Sequence, residues 1–158
     1  MKKVKKPVID ANKLGKNPFL LNLRIVVSKL TIPGQYHKEE GILVPSEMDL
    51  ERDASCRVYT DSERRLLMVK LSPRAKDLLL WIMYEVEPNI DWIWINKARY
   101  MDESGITTYN TYNSAVNELI QQGYINKVAK PANTFWINPA YFFAGNRVRT
   151  FPDKVVRR

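Results

Sequence analysis

One cysteine and one histidine stand in a chain of 158 residues. A single Cys56 rules out a disulfide framework within the chain and fits a reducing compartment. Cys56 and His37 together fall short of the usual zinc site, which draws on several such ligands. The same scarcity limits covalent chemistry, because a nucleophilic thiol needs a partnering base. A DNA-nicking protein would pair a tyrosine with a metal held by histidines, and His37 stands alone. Gly-rich phosphate loops, nucleophile elbows and metal-ligand pairs are missing as well. Glu39-Glu40 and the run Asp49, Glu51, Asp53 read as solvated acids in a loop-rich region. The expectation is a protein without catalytic turnover, metal or cofactor, with Cys56 an inert, partly buried thiol.

Long apolar runs are also missing. No stretch approaches the roughly 20 residues that span a bilayer. The opening MKKVKKPVID has the basic start of a signal peptide but no apolar segment after it. A soluble, unsecreted protein with no membrane partner is expected. There is no internal repeat.

What the chain has is a core and a lopsided charge. Hydrophobic residues reach 45% and charged residues 27%, values of a folded domain rather than a disordered chain. The net charge is +8, but its position matters more than its size. Residues 1–16 hold six lysines against Asp10, a net +5. Residues 147–158 hold Arg147, Arg149, Lys154, Arg157 and Arg158 against Asp153, a net +4, which leaves −1 between. Two basic ends suit a polyanion, since each cation near a phosphate releases condensed counterions. They would equally serve as solubilising, disordered ends.

The first 71 residues read as mainly β. Leu23–Leu30 carries the β-branched run Ile25, Val26, Val27. A loop with Pro33 and Gly34 follows, then a short strand over Gly41–Val44. Ser46–Asp53 reads as a helical turn or a loop. Arg57–Thr60 and Leu66–Leu71 read as two strands joined by the polar link DSERR.

The second half is more sharply punctuated. Ser72-Pro73 has the form of a helix start, with Ser as N-cap and Pro at the first helical position. Ala75, Leu78, Leu79, Ile82 and Val86 follow at helical spacing, and Pro88 closes the helix. Trp92–Ile95 reads as a strand. Asn96 can cap a short helix over Lys97–Glu103, and Ser104-Gly105 forces a turn. Ile106 reads as a buried plug, after which Thr107 or Thr108 caps a helix that runs to Gln122 and ends at Gly123. Tyr124–Val128 and Thr134–Ile137 form a hairpin. Helix, strand, helix, turn, helix, hairpin is the winged helix-turn-helix order. The expected class is α+β: a winged helix-turn-helix domain over 72–146 with an N-terminal β-rich extension over 17–71. A basic flexible tail over 1–16 and a basic C-terminal tail over 147–158 complete the division.

The helix after Thr108 holds the informative pattern. At about 100° per residue, Tyr109, Tyr112, Ala115, Val116, Leu119 and Ile120 share one face. The other face carries Asn110, Ser114, Asn117 and Gln121, flanked by Thr111 and Glu118. Amides and hydroxyls are the groups that read base edges in a major groove. The helix start, at Thr107 and Thr108, offers backbone N–H groups to a phosphate. The same face would also serve an ordinary solvated helix, and it has Glu118 and no Lys or Arg. Lys127 and Lys130 flank the hairpin tip, while Lys97 and Arg99 lie on the preceding helix; these four are the expected phosphate contacts. Trp81, Trp92, Trp94 and Trp136 fall at apolar positions and read as core or interface residues.

The segments LSPRAKDLLLWIMYEV and GYINKVAKPANTFWINPAYFFAGNR resemble the RepL-type replication initiators of plasmids, and similar proteins carried by bacteriophages. The helix opening SPRAKDLLLWI and the aromatic-Ile-Asn-Pro stretch FWINPAYFFAGNR carry the likeness, which covers residues 66–149. The resemblance implies a cytoplasmic protein of a bacterial host cell that binds a replication origin in double-stranded DNA and recruits host replication proteins. A homodimer is compatible with it. Three readings stand: an initiator, a transcriptional regulator using the same domain, and a winged-helix module that binds proteins without reading DNA.

Overall fold

The computed structural model describes residues 6–27, 35–37, 42–44, 56–59 and 62–157. The fold is mixed α+β. In chain order it runs β1 (Ile25–Val27), β2 (Gln35–His37), β3 (Ile42–Val44), β4 (Cys56–Val58), α1 (Ser62–Lys70), α2 (Pro73–Glu85), β5 (Trp92–Trp94), α3 (Lys97–Glu103), α4 (Tyr109–Gln121), β6 (Ile125–Lys127), β7 (Thr134–Ile137), β8 (Phe142–Ala144), α5 (Arg147–Thr150) and β9 (Val155–Arg157).

The second half follows its sequence signals closely. The Ser72 side chain caps α2, accepting from the Ala75 N–H at 3.2 Å. Asn96 does the same for α3, accepting from the Arg99 N–H at 3.2 Å. Gly105 closes the α3–α4 turn at φ +67°, a conformation that a side chain disfavours. Ile106 follows as a buried residue. Packing of α2 on α4 forms the centre of the core, with Ala75, Leu78, Leu79 and Ile82 against Tyr112, Ala115, Val116 and Leu119. Each fully buried Leu or Ile of this kind contributes about 1.5–3 kcal/mol.

A three-stranded antiparallel sheet, ordered β5-β7-β6, lies beside these helices. Trp92 pairs with Trp136 and Lys127 with Phe135. Side chains alternate along a strand, so Phe135 and Ile137 enter the main core while Trp136 points to the other face. That second face is covered too. Residues of the N-terminal segment, Ile9, Leu14 and Phe19, gather there with Trp92, Val128 and Trp136. Asn17, itself buried, donates to Asp91 Oδ2 at 2.9 Å and to the Ile137 carbonyl at 3.0 Å. Within residues 6–16, read from sequence as part of a flexible tail, Ile9 and Leu14 thus pack on the sheet.

The C-terminal basic segment is built in as well. Phe151 is buried against Phe143, and β9 pairs in parallel with β1. Arg147, Arg149, Lys154 and Arg157 travel with an apolar framework (Phe151, Val155) that the charge count concealed. β4 likewise pairs with β8, Cys56 opposite Ala144. Of the N-terminal strands, only β2 and β3 pair with each other. Among the described residues, β1 and β4 are thus joined to strands of the C-terminal half, while β2 and β3 form a two-stranded sheet of their own.

One element differs in type. Ser62–Lys70 is a helix, where the sequence reading put a polar link and a strand over Leu66–Leu71. Ser-Glu-Arg-Arg followed by Leu-Leu-Met is a run of good helix formers with one β-branched residue, Val69. A short apolar run alone does not separate the two types. Strand β2 fell in the segment read as a loop. The reading of Ser46–Asp53 lies outside the described residues.

Candidate nucleic-acid interface

Thr108 begins α4 in an extended conformation, φ −112° and ψ 135°, but its side chain does not cap the helix. Its hydroxyl pairs with that of Thr111 at 2.7 Å. The first backbone N–H groups of α4 thus lack a side-chain acceptor at the cap. Thr107, Thr108, Asn110, Ser114, Asn117 and Gln121 are exposed, and Thr111 is half-buried. Asn113, which the sequence reading omitted, is exposed as well; its spacing of three from Asn110 is the signal that could have found it. The face is long, polar and uncharged.

Glu118 leaves this face. Its carboxylate accepts from the Ser72 backbone N–H at 2.7 Å and from the Ser72 hydroxyl at 2.6 Å. The negative charge sits at the start of α2, where the helix dipole favours it. An apparent obstacle to phosphate approach is therefore a brace between helices. Its partner lies 46 residues away, so no local pattern announces it.

The four cations separate into two kinds. Lys127 and Lys130 are exposed around the β6–β7 turn. Lys97 is half-buried, with its ammonium 4.0 Å from the ring centroid of Tyr109 and 4.9 Å from that of Tyr112. Such contacts are worth about 0.5–1 kcal/mol at exposed sites. Arg99 is committed elsewhere. It forms a two-pronged pair with Glu85, both bonds 2.9 Å, and its Nε donates to Glu103 at 2.7 Å. Trp81 Nε1 also donates to Glu103 at 2.7 Å. The Trp81 bond and then the Arg99 bond hold the Glu103 carboxyl below its usual range. With two carboxylates on it, Arg99 is a tie between α2 and α3 rather than a free phosphate contact.

Tyr109 is the other departure. Helical spacing put it on the buried face, yet it is 64% exposed while Tyr112 is 3% exposed. It is the first residue of α4, and Lys97 lies against its ring. Tyr112 is buried, which pushes its phenol well above the ordinary value.

Cys56 is half-buried, and burial raises its thiol above the ordinary value. Among the described residues no group of three or more His, Cys, Asp and Glu could hold a metal ion. No helix among them is long and apolar enough to cross a membrane.

No family model, no curated protein and no solved structure matches this chain. The likeness to plasmid replication initiators therefore rests on the residues quoted for it. In the structure the Ile137-Asn138-Pro139 part of that stretch has a local task. Asn138 donates to the Gly123 carbonyl at 2.7 Å and accepts from the Ala140 N–H at 3.0 Å, tying the end of β7 to the end of α4.

Proposed function

We propose that residues 72–146 are a winged helix-turn-helix domain that binds double-stranded DNA in a sequence-specific manner. In this reading α3 and α4 are the helix-turn-helix, α4 enters the major groove and the β6–β7 hairpin is the wing. The observation that carries it is the exposed face of α4: Asn110, Asn113, Ser114, Asn117 and Gln121, with Lys97 against the first turn. Asn and Gln pair bidentately with adenine, and hydroxyls serve several bases. Lys127 and Lys130 supply phosphate contacts from the wing, and Thr107, Thr108 and Thr111 frame the helix start. Arg99 is left out of the interface. The resemblance to plasmid and phage initiators extends the reading to replication initiation, with host replication proteins as partners; a transcriptional regulator would use the same face.

The test is selection from randomised duplexes, followed by mapping of bound DNA in cells. Enrichment of one sequence that lies at a replication origin supports the full reading. Enrichment at promoters supports regulation. No enrichment in the selection removes sequence-specific binding.

A second reading, a module that binds proteins, is favoured by a different observation. Leu66, Val69, Leu80 and Tyr84 are all more than half exposed, and a groove of about 410 Å³ lined by Val58, Met68, Leu79 and Met83 adjoins them. Contiguous apolar surface of this kind marks interaction sites. Charged substitutions at Leu66 and Leu80 that abolish function in cells but spare duplex binding would favour it.

A further inference from the structure

We propose that Tyr109 is a thymine-reading residue, packing its exposed ring against the 5-methyl group of a thymine in the major groove. The inference rests on the duplex-binding role of α4 proposed above and names a residue that the polar face does not include. Tyr109 is the one large apolar side chain exposed on α4. Its exposure is not a general looseness of the helix, because Tyr112, one turn on, is almost fully buried. Its neighbours in sequence are short polar groups: Thr107, Thr108 and Asn110 are exposed. In the major groove the thymine methyl is the apolar feature that base pairs present, and apolar side chains are what recognise it. Amides cannot supply that contact and the threonines offer one methyl group each, so Tyr109 is the one large apolar surface on α4 that can.

The ring is also held. The Lys97 ammonium lies 4.0 Å from its centroid and braces one face. A side chain already restrained loses less freedom on binding. Lys97 brings a positive charge to the same point, where a phosphate flanking the thymine would meet it.

The experiment uses the full chain and a duplex enriched by selection, with each thymine in turn replaced by deoxyuridine, which lacks only the methyl group. The parent is expected to lose about fourfold in affinity at one position, the value of one buried methyl group. Tyr109→Ala should bind the thymine and deoxyuridine duplexes equally at that position. Tyr109→Phe should keep the difference. Tyr109→Phe keeps the ring under Lys97 and should keep the parent's thermal midpoint, whereas Tyr109→Ala loses that contact and should lower it only slightly, because the ring is exposed. Equal discrimination by the parent and Tyr109→Ala at every position overturns the assignment and leaves duplex binding standing. Loss of discrimination in Tyr109→Phe overturns it too, since the hydroxyl would then be the reader. Failure of the parent to bind any duplex overturns both the assignment and the reading beneath it.

Discussion

The Glu118 carboxylate on α4 accepts two hydrogen bonds from Ser72, at 2.7 and 2.6 Å, one from the backbone and one from the side chain. Ser72 in turn caps α2 through the Ala75 N–H. One acid thus fixes the end of one helix to the body of another. Hydrogen bonds to charged groups contribute about 1.5–3 kcal/mol. Glu118→Ala should lower stability by about 1–2 kcal/mol at neutral pH, read as a shift in the urea midpoint at unchanged slope. Glu118→Gln keeps the shape without the charge and should lose less. A midpoint unmoved by either change would mean that Ser72 caps α2 equally well alone.

Two glycines should respond differently to alanine. At Gly105 an added Cβ meets nothing within 4 Å, so the cost is backbone strain at φ +67°, about 1 kcal/mol or more. At Gly145, φ +94°, the added carbon presses into the side chain of Asn89 and comes within 3.0 Å of its backbone nitrogen. Gly145→Ala should therefore be the more damaging by thermal melting. Gly105→Asn should be milder than Gly105→Val, because Asn tolerates the left-handed region. Equal melting of Gly105→Val and the parent would move the turn's constraint elsewhere.

Specificity and affinity should divide between α4 and the wing. Asn110→Ala is expected to cost about 1–3 kcal/mol on a selected site if it pairs with a base, and to leave random duplex almost unaffected. Asn110, Thr111 and Ser114 should matter more than Asn117 and Gln121, because the first turns of such a helix approach the base edges. Lys127→Ala and Lys130→Ala should weaken both DNAs alike. Competition between selected and random DNA measures both. Unaltered preference in Asn110→Ala, Thr111→Ala and Ser114→Ala together would take α4 out of the groove.

The basic N-terminal residues can be tested by two deletions. Removing residues 1–5 takes away Lys2, Lys3 and Lys5 and should flatten the salt dependence of binding by about 0.9 per lost phosphate contact. Removing residues 1–16 also takes Leu14 from the Trp136 cluster and the Lys6–Glu87 ion pair. It should lower stability as well as affinity. Identical salt slopes for the parent and the shorter deletion would exclude those lysines from the interface.

Thiol chemistry offers a check on the β4–β8 pair. Burial raises the Cys56 thiol, so less thiolate is present at pH 8 in the folded chain than in the unfolded one. Alkylation of folded protein should lag that of denatured protein, and its rate should rise at a higher pH. Equal rates in both states would place Cys56 in open solvent.

The helices α2, α3 and α4 and the strands β5, β6 and β7 were legible because their signals are local. Ser72-Pro73, Asn96, Ser104-Gly105 and Gly123 each mark a boundary within a few residues of it. Pairings such as Ile25 with Val155 and Cys56 with Ala144 join segments far apart in sequence, and no periodicity encodes a partner at that distance. At the interface the uncharged face of α4 was legible from helical spacing. Tyr109 was not, because spacing assigns a direction around the helix axis and does not show how far cover extends along it. The partners of Arg99 and Glu118 were not legible for a related reason: charge can be counted from sequence, but the groups that meet each charge are set by the fold.

Trp92 and Trp136 lie opposite each other across β5 and β7, under the N-terminal segment, and Lys6 rests 5.9 Å from the Trp92 ring centroid. No tryptophan lies on α4 or in the β6–β7 turn. The intrinsic fluorescence of this chain is therefore divided by geography. Lifting the N-terminal segment from the sheet would wet two indoles and shift their emission to the red. Trp81, bonded to Glu103 on α3, and Trp94 on β5 would contribute to any change on adding DNA, so replacing both by Phe would leave an emission that reports on that segment.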